Sequence, residues 1–107
     1  MLIQIEIPKE TIMSCIESAT GRYIRYWAET RRRGKLIDVR EVYVENGTAG
    51  KGAGEWCTLT PSRIHKAASL LAKASPRQFA ALITDRADAI TGDCLIQLAV
   101  LGEIRYG

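Results

Sequence analysis

Along the first residues the apolar positions alternate. Ile3, Ile5 and Ile7 stand against Leu2, Gln4 and Glu6, which predicts an opening strand over 2–7 that Pro8 ends. The period then lengthens. Ile12, Cys15, Ile16 and Ala19 recur at helical spacing, so a first helix is expected over about 8–19, with Gly21 as its stop. From Thr20 to Arg33 period two returns, with Ile24, Tyr26, Ala28 and Thr30 on one face and Tyr23, Arg25, Trp27, Glu29 and Arg31 on the other. A helix competes here by lining up Ile24, Trp27, Ala28 and Arg31, but Gly21 and the ring-rich composition favour a strand. On that reading Tyr23, Arg25 and Trp27 lie side by side.

Gly34 turns the chain into a second β-rich run, 36–45, containing Ile37, Val39, Val42, Tyr43 and Val44. Its alternation breaks near Arg40 and Glu41, where a bulge is expected. Asn46-Gly47 opens the glycine-rich stretch GTAGKGAG, which reads as a hairpin tip leading into a short strand at 56–59. Helix signals follow in quick succession. Thr60-Pro61 is a cap with proline at the first position, and Ile64, Ala67, Ala68 and Leu71 form the buried stripe behind it. Ser75-Pro76 repeats the device before a third helix with Phe79, Leu82 and Ile83. Thr91-Gly92-Asp93 is expected to cap a last helix, 94–101, apolar nearly all round and hence buried, with Gly102 ending it. The expected fold is α+β: one domain over 1–107, a mostly antiparallel sheet of three to four strands, and about four helices packed on one side.

Composition changes this picture little. In 107 residues, 47% hydrophobic and 25% charged positions are ordinary for a folded domain. The three cysteines, Cys15, Cys57 and Cys94, are odd in number and widely spaced, which argues for reduced thiols and against a disulfide framework. A metal site would want paired ligands, and His65 is the one histidine. No metal or cofactor is expected. The opening residues lack the basic start and apolar core of a secretory signal, so a cytoplasmic location is the expectation.

Charge is more informative. Residues 20–54 hold eight basic and four acidic groups, although the whole chain carries only +3. Within that window, 20–35 gathers three of the seven aromatic rings and six of the fifteen Lys/Arg residues. Rings interleaved with arginines can stack on bases, grip phosphates or anchor a protein interface. The competing reading is that the rings pack under helices while the guanidinium groups reach water.

Catalytic chemistry finds little support. Gly50-Lys51 resembles the end of a phosphate-binding loop, but the preceding glycine is too close, Gly52 replaces the magnesium-binding hydroxyl, and a strand follows rather than a helix. Lys51 is left as a weak anion contact. Asp85, Asp88 and Asp93 match no calcium loop and suit helix ends. His65 lies in an amphipathic helix with no nucleophile elbow in the chain. A non-enzyme is expected.

Two motifs carry a resemblance: Ile24-Arg25-Tyr26-Trp27, with LTPSRI later opening a helix, and the ending Gly92-Asp93 … Leu95-Ile96-Gln97 … Leu101-Gly102-Glu103-Ile104-x-Tyr106-Gly107. Together they resemble a family of small accessory proteins of tailed phages and prophages, which show Ile-x-Tyr-Trp and finish in Gln-x-x-x-Phe-Gly-Glu-x-x-Tyr-Gly. Arg22-Tyr23 stands where that family has glycines, and Leu101 where it has phenylalanine. The resemblance implies a phage or prophage origin and the binding of a host protein, with antagonism of an antiviral defence as the expected outcome. Partner-binding residues are then Arg22, Tyr23, Arg25, Trp27, Arg31, Arg32 and Arg33. The alternatives are nucleic acid held on 22–33, or a nucleotide or signalling molecule. The chain is expected to fold alone or as a small homo-oligomer, without membrane contact. Gln97, in an apolar helix, needs partners, and 103–107 reads as a segment docked on the body.

Overall fold

A computed structural model describes residues 9–20, 23–45, 48–50, 55–84 and 86–106, with the backbone alone given for 43–45 and 48–50. The expected strand over 2–7 lies outside these residues. Among the described residues, four helices and a three-stranded antiparallel sheet make the chain α+β. Helix α1 is Lys9–Thr20, β1 Ala28–Arg33, β2 Leu36–Glu41, β3 Tyr43–Glu45, β4 Thr48–Gly50 and β5 Cys57–Thr58. Helices α2 (Pro61–Ala74), α3 (Pro76–Ile83) and α4 (Ala89–Leu101) complete the order. The sheet runs β1-β2-β5, while β3 and β4 pair separately as a hairpin.

The helix starts follow local chemistry. Thr60 accepts from the Arg63 N–H with Pro61 behind it, and Ser75 accepts from the Gln78 N–H with Pro76 behind it. Ser75 also closes α2, its own N–H donating to the Leu71 carbonyl. The last helix begins earlier than its sequence suggests. Asp88, not Thr91, is the cap, accepting from Ile90 and Thr91 N–H groups, while the Thr91 hydroxyl accepts from Asp88 N–H in a reciprocal box. Thr91 then donates to Gln78 Oε1 at 2.7 Å, which ties α3 to α4. Gly102 closes α4 at φ +78°, where a side chain would be strained.

Burial matches the apolar character of α4. Leu95, Ile96 and Leu98 sit in one core with Cys15, Ile16 and Ala19 of α1, Ala67, Ala68 and Leu71 of α2, and Ile37 and Val39 of β2. The crossing of α1 and α4 is exceptionally close. A methyl group added at Gly92 would stand 2.0 Å from the Cys15 carbonyl oxygen, so only hydrogen fits there.

Two expectations about the sheet need correction. The strand expected over 20–33 exists only from Ala28, because α1 continues to Thr20 and Tyr23–Tyr26 forms a single 3-10 turn. That turn, closed by the Trp27 N–H on the Ile24 carbonyl at 3.0 Å, carries Ile24 and Trp27 inward three residues apart. The second β run is interrupted, but not by a bulge at Arg40-Glu41: β2 pairs through Glu41 with Ala28, and the break comes at Val42, whose N–H donates to the Trp27 carbonyl at 2.8 Å. There the chain leaves the three-stranded sheet for the β3-β4 hairpin. Among the described residues no helix is long and apolar enough to cross a membrane.

Candidate partner-binding surface

The residues expected to share one exposed strand face are divided by the structure into three environments. Trp27 is fully buried. Its ring stacks on Tyr106 with centroids 5.6 Å apart and planes 13° from parallel, and its indole N–H donates to Asp93 Oδ1 at 2.8 Å. The expectation that Trp27 stands beside Tyr23 and Arg25 as an exposed anchor is therefore overturned. The physical reason is the 3-10 turn: it sends residues 24 and 27 to the same, inner side, whereas a strand would have opposed them.

Asp93 is the centre of a buried clasp. Besides Trp27 it accepts from the Tyr26 hydroxyl at 2.5 Å and from Gln97 Nε2 at 3.0 Å. Gln97 is itself fully used. Its Oε1 accepts the N–H groups of Arg105 and Tyr106, each at 2.8 Å, and its Nε2 also donates to the Tyr106 carbonyl at 2.9 Å. Three donors to this one side chain satisfy its buried oxygens in an otherwise apolar interior. Burial pushes the Tyr26 hydroxyl well above the usual tyrosine range, and the bond to Asp93 pushes it further the same way. The clasp thus joins the turn, α4 and the docked C-terminal segment. Tyr106 reaches on to Glu41 with its hydroxyl, and Arg105 pairs with the same carboxylate at 3.0 Å.

The 3-10 turn and α4 also expose large apolar side chains. Tyr23 and Tyr26 are 43% and 44% exposed, and Ile90, one turn before Cys94 on α4, is 47% exposed. The side chains of Tyr23 and Cys94 are near enough to Tyr26 to act electrostatically on its hydroxyl. Arg25 is exposed in the same turn and makes no ion pair among the described residues. A fixed tyrosine ring with a second exposed ring and an arginine beside it in the turn is a composition common in interface anchors.

The arginines of β1 belong elsewhere. Arg31 and Arg33 both bind Asp38 on the neighbouring strand, through Nε at 2.8 Å and 2.6 Å, and Thr58 of β5 donates to the same carboxylate at 2.7 Å. Antiparallel pairing sets this up by placing Arg31 opposite Asp38 and Asp38 opposite Thr58. The Arg33 guanidinium, with Thr58 and Arg31 contributing, holds the Asp38 carboxyl well below the usual carboxylate range. Arg32 points to the other face and pairs with Glu17 of α1. Arg40 pairs with Glu29 at 2.6 Å. Arg31, Arg32 and Arg33 are therefore each held by a carboxylate, Asp38 serving two of them, and do not join Tyr23 and Arg25 in one basic patch.

Sequence reading missed two participants. Trp56 lies under two guanidinium groups, with Arg31 at 4.3 Å and Arg40 at 4.5 Å from its ring centroid. Its signal was the alternation Trp56-x-Thr58, which sets both on the face that carries Asp38. The second is Asp93, which the sequence places in a helix cap. Its signal was an acid one helical turn before Gln97 in an otherwise apolar run, a pair that must share donors when buried. Arg22, Lys51 and Asp85 lie outside the described residues, and His65 stands exposed on α2, away from the clasp. The thiols are free; burial pushes Cys15 up to about 11, which leaves it an unreactive core group. Comparison of the chain with protein-family models, with curated proteins and with solved structures finds no match.

Proposed function

We propose that the chain is a non-catalytic binding protein of phage or prophage origin. It docks on a host protein through Tyr23, Arg25 and Tyr26 of the 3-10 turn together with Ile90 of α4. An antiviral-defence component is the expected target, the bacterial cytoplasm the expected site of action, and antagonism the expected effect. The observation that carries the reading is an exposed ring held on a buried clasp: Tyr26 is fixed at its hydroxyl by Asp93 yet leaves nearly half its surface outside. A ring already immobilised loses little side-chain entropy on binding, and this favours a protein interface. Helices packed on one side of the sheet would leave the ion-paired face of β1, β2 and β5 as a second, polar surface.

Nucleic acid is less well supported. A polyanion gains from basic groups that shed counterions, and Arg31, Arg32 and Arg33 already hold carboxylates. The test is affinity capture from host lysate, with and without nuclease, using the wild-type chain and a Tyr23→Ala/Arg25→Ala variant. A nuclease-resistant protein retained by the wild type and lost by the variant is the expected result. Capture that disappears with nuclease, or that the variant retains in full, would overturn the reading.

A further inference from the structure

Away from the turn, the opening of α1, the β1-β2 connection and the first turn of α2 enclose a cavity of about 640 Å³. This lies within the roughly 300–1,000 Å³ of small-molecule sites. Its floor is apolar: Ile12 and Met13 from α1, Leu36 from β2, and Leu59 and Ile64 from the entry to α2. Leu59 and Ile64 are core residues, whereas Leu36 is 39% exposed, so the floor is open to a ligand. The margin has the opposite character. Lys9, Lys35 and His65 stand exposed around it, no carboxylate lines it among the described residues, and none of the three is in an ion pair there. The N-terminal end of α2, beginning at Pro61 on the cavity wall, adds its positive dipole end.

These two features select one ligand chemistry. A neutral apolar molecule would cover the floor and leave the cations unanswered, while a small inorganic anion would answer the cations and leave the floor wet. We infer that the cavity binds a single-chain anionic amphiphile, a free medium-chain carboxylate. Its tail lies on Ile12, Met13, Leu36 and Ile64, and its head is held among Lys9, Lys35 and His65. The site is separate from the partner-binding surface and does not depend on it.

Sodium decanoate, below its micelle concentration, is titrated into the full chain by calorimetry, with amide chemical shifts locating the site. Decyltrimethylammonium, with the same tail and the opposite charge, is the control. One saturable decanoate site is expected, with shifts centred on 9–13, 35–36 and 59–65. Its affinity should exceed that for the cation by at least about tenfold, the equivalent of about 1.4 kcal/mol. Lys9→Glu/Lys35→Glu should weaken decanoate about tenfold, and Leu36→Glu should remove the site, both with the wild-type melting curve because these side chains are exposed. Should Leu36→Glu melt early, Leu36→Gln provides the same test with less perturbation. Equal affinity for the two head groups, affinity unchanged by the lysine reversals, shifts confined to other residues, or co-sedimentation with phosphatidylglycerol vesicles in place of decanoate binding would each overturn the inference.

Discussion

At Trp27 a large ring and a polar contact are combined in one buried side chain, and both are lost together on truncation. Trp27→Ala removes the stack on Tyr106 and one of the three donors to Asp93, leaving a buried carboxylate short of a partner. A loss of about 3–5 kcal/mol is expected for the ring alone, which lowers the melting midpoint of a domain this size by roughly 12 °C or more. Thermal melting followed by circular dichroism checks it, and a midpoint within a few degrees of wild type would contradict the buried placement. Gln97→Leu acts on the same clasp. It strands two backbone N–H groups and the Tyr106 carbonyl, so about 3 kcal/mol is expected, at about 1–3 kcal/mol per stranded group less partial recovery by water. Asp38 gives a pH-dependent counterpart. Because Arg33 and its neighbours lower its pKa in the folded state, its contribution is fully present above the unfolded carboxylate value of about 3.9 and is lost as pH falls from there toward the folded value. Urea midpoints of the wild type and Asp38→Asn should therefore differ most near neutrality and converge as the pH is taken below about 4. A gap that stays constant across that window would show that the Arg33 contact does not carry the shift.

Between elements, the closest constraint is the crossing of α1 and α4. Gly92→Ala drives a methyl into the Cys15 carbonyl, backbone against side chain, with no flexible group to yield. Helix propensity alone would favour alanine by about 1 kcal/mol, so the sign of the change separates local preference from packing. Destabilisation by about 2 kcal/mol or more is expected, read from denaturant midpoints, and a stabilised variant would mean that the helices do not approach so closely. Local against distant control also explains what was legible in the sequence. Thr60-Pro61 and Ser75-Pro76 announce α2 and α3 because a cap bonds within three residues of itself. The first half of 20–33 departs from its apparent alternation because the partner that decides it, Asp93, stands 66 residues from Trp27. Its alternation is equally compatible with a strand until that contact is known. The interruption of the second β run was visible as a fault in the pattern, but its cause, Val42 donating to the Trp27 carbonyl, depends on where Trp27 goes.

Over the whole molecule, charge that seems concentrated in sequence is dispersed by the fold. The eight basic groups of 20–54 include Arg31, Arg33 and Arg40 on one sheet face with Asp38 and Glu29, and Arg32 on the other face with Glu17. Which arginine meets which acid is set by strand register, and register is not written in a charge count. The C-terminal motif, by contrast, was legible as a docked segment because a buried glutamine has to find partners, and Gln97 finds them in Arg105 and Tyr106. The clasp also imposes an order on synthesis. Trp27 leaves the ribosome 66 residues before Asp93, and at about 5–20 residues per second the wait is roughly 3–13 s. Throughout it the indole has neither its carboxylate nor the ring of Tyr106 to cover it. The nascent first half is an incomplete surface that no local rearrangement can finish, so yield in the cell will depend on how fast the second half is translated and on what shields Trp27 until then.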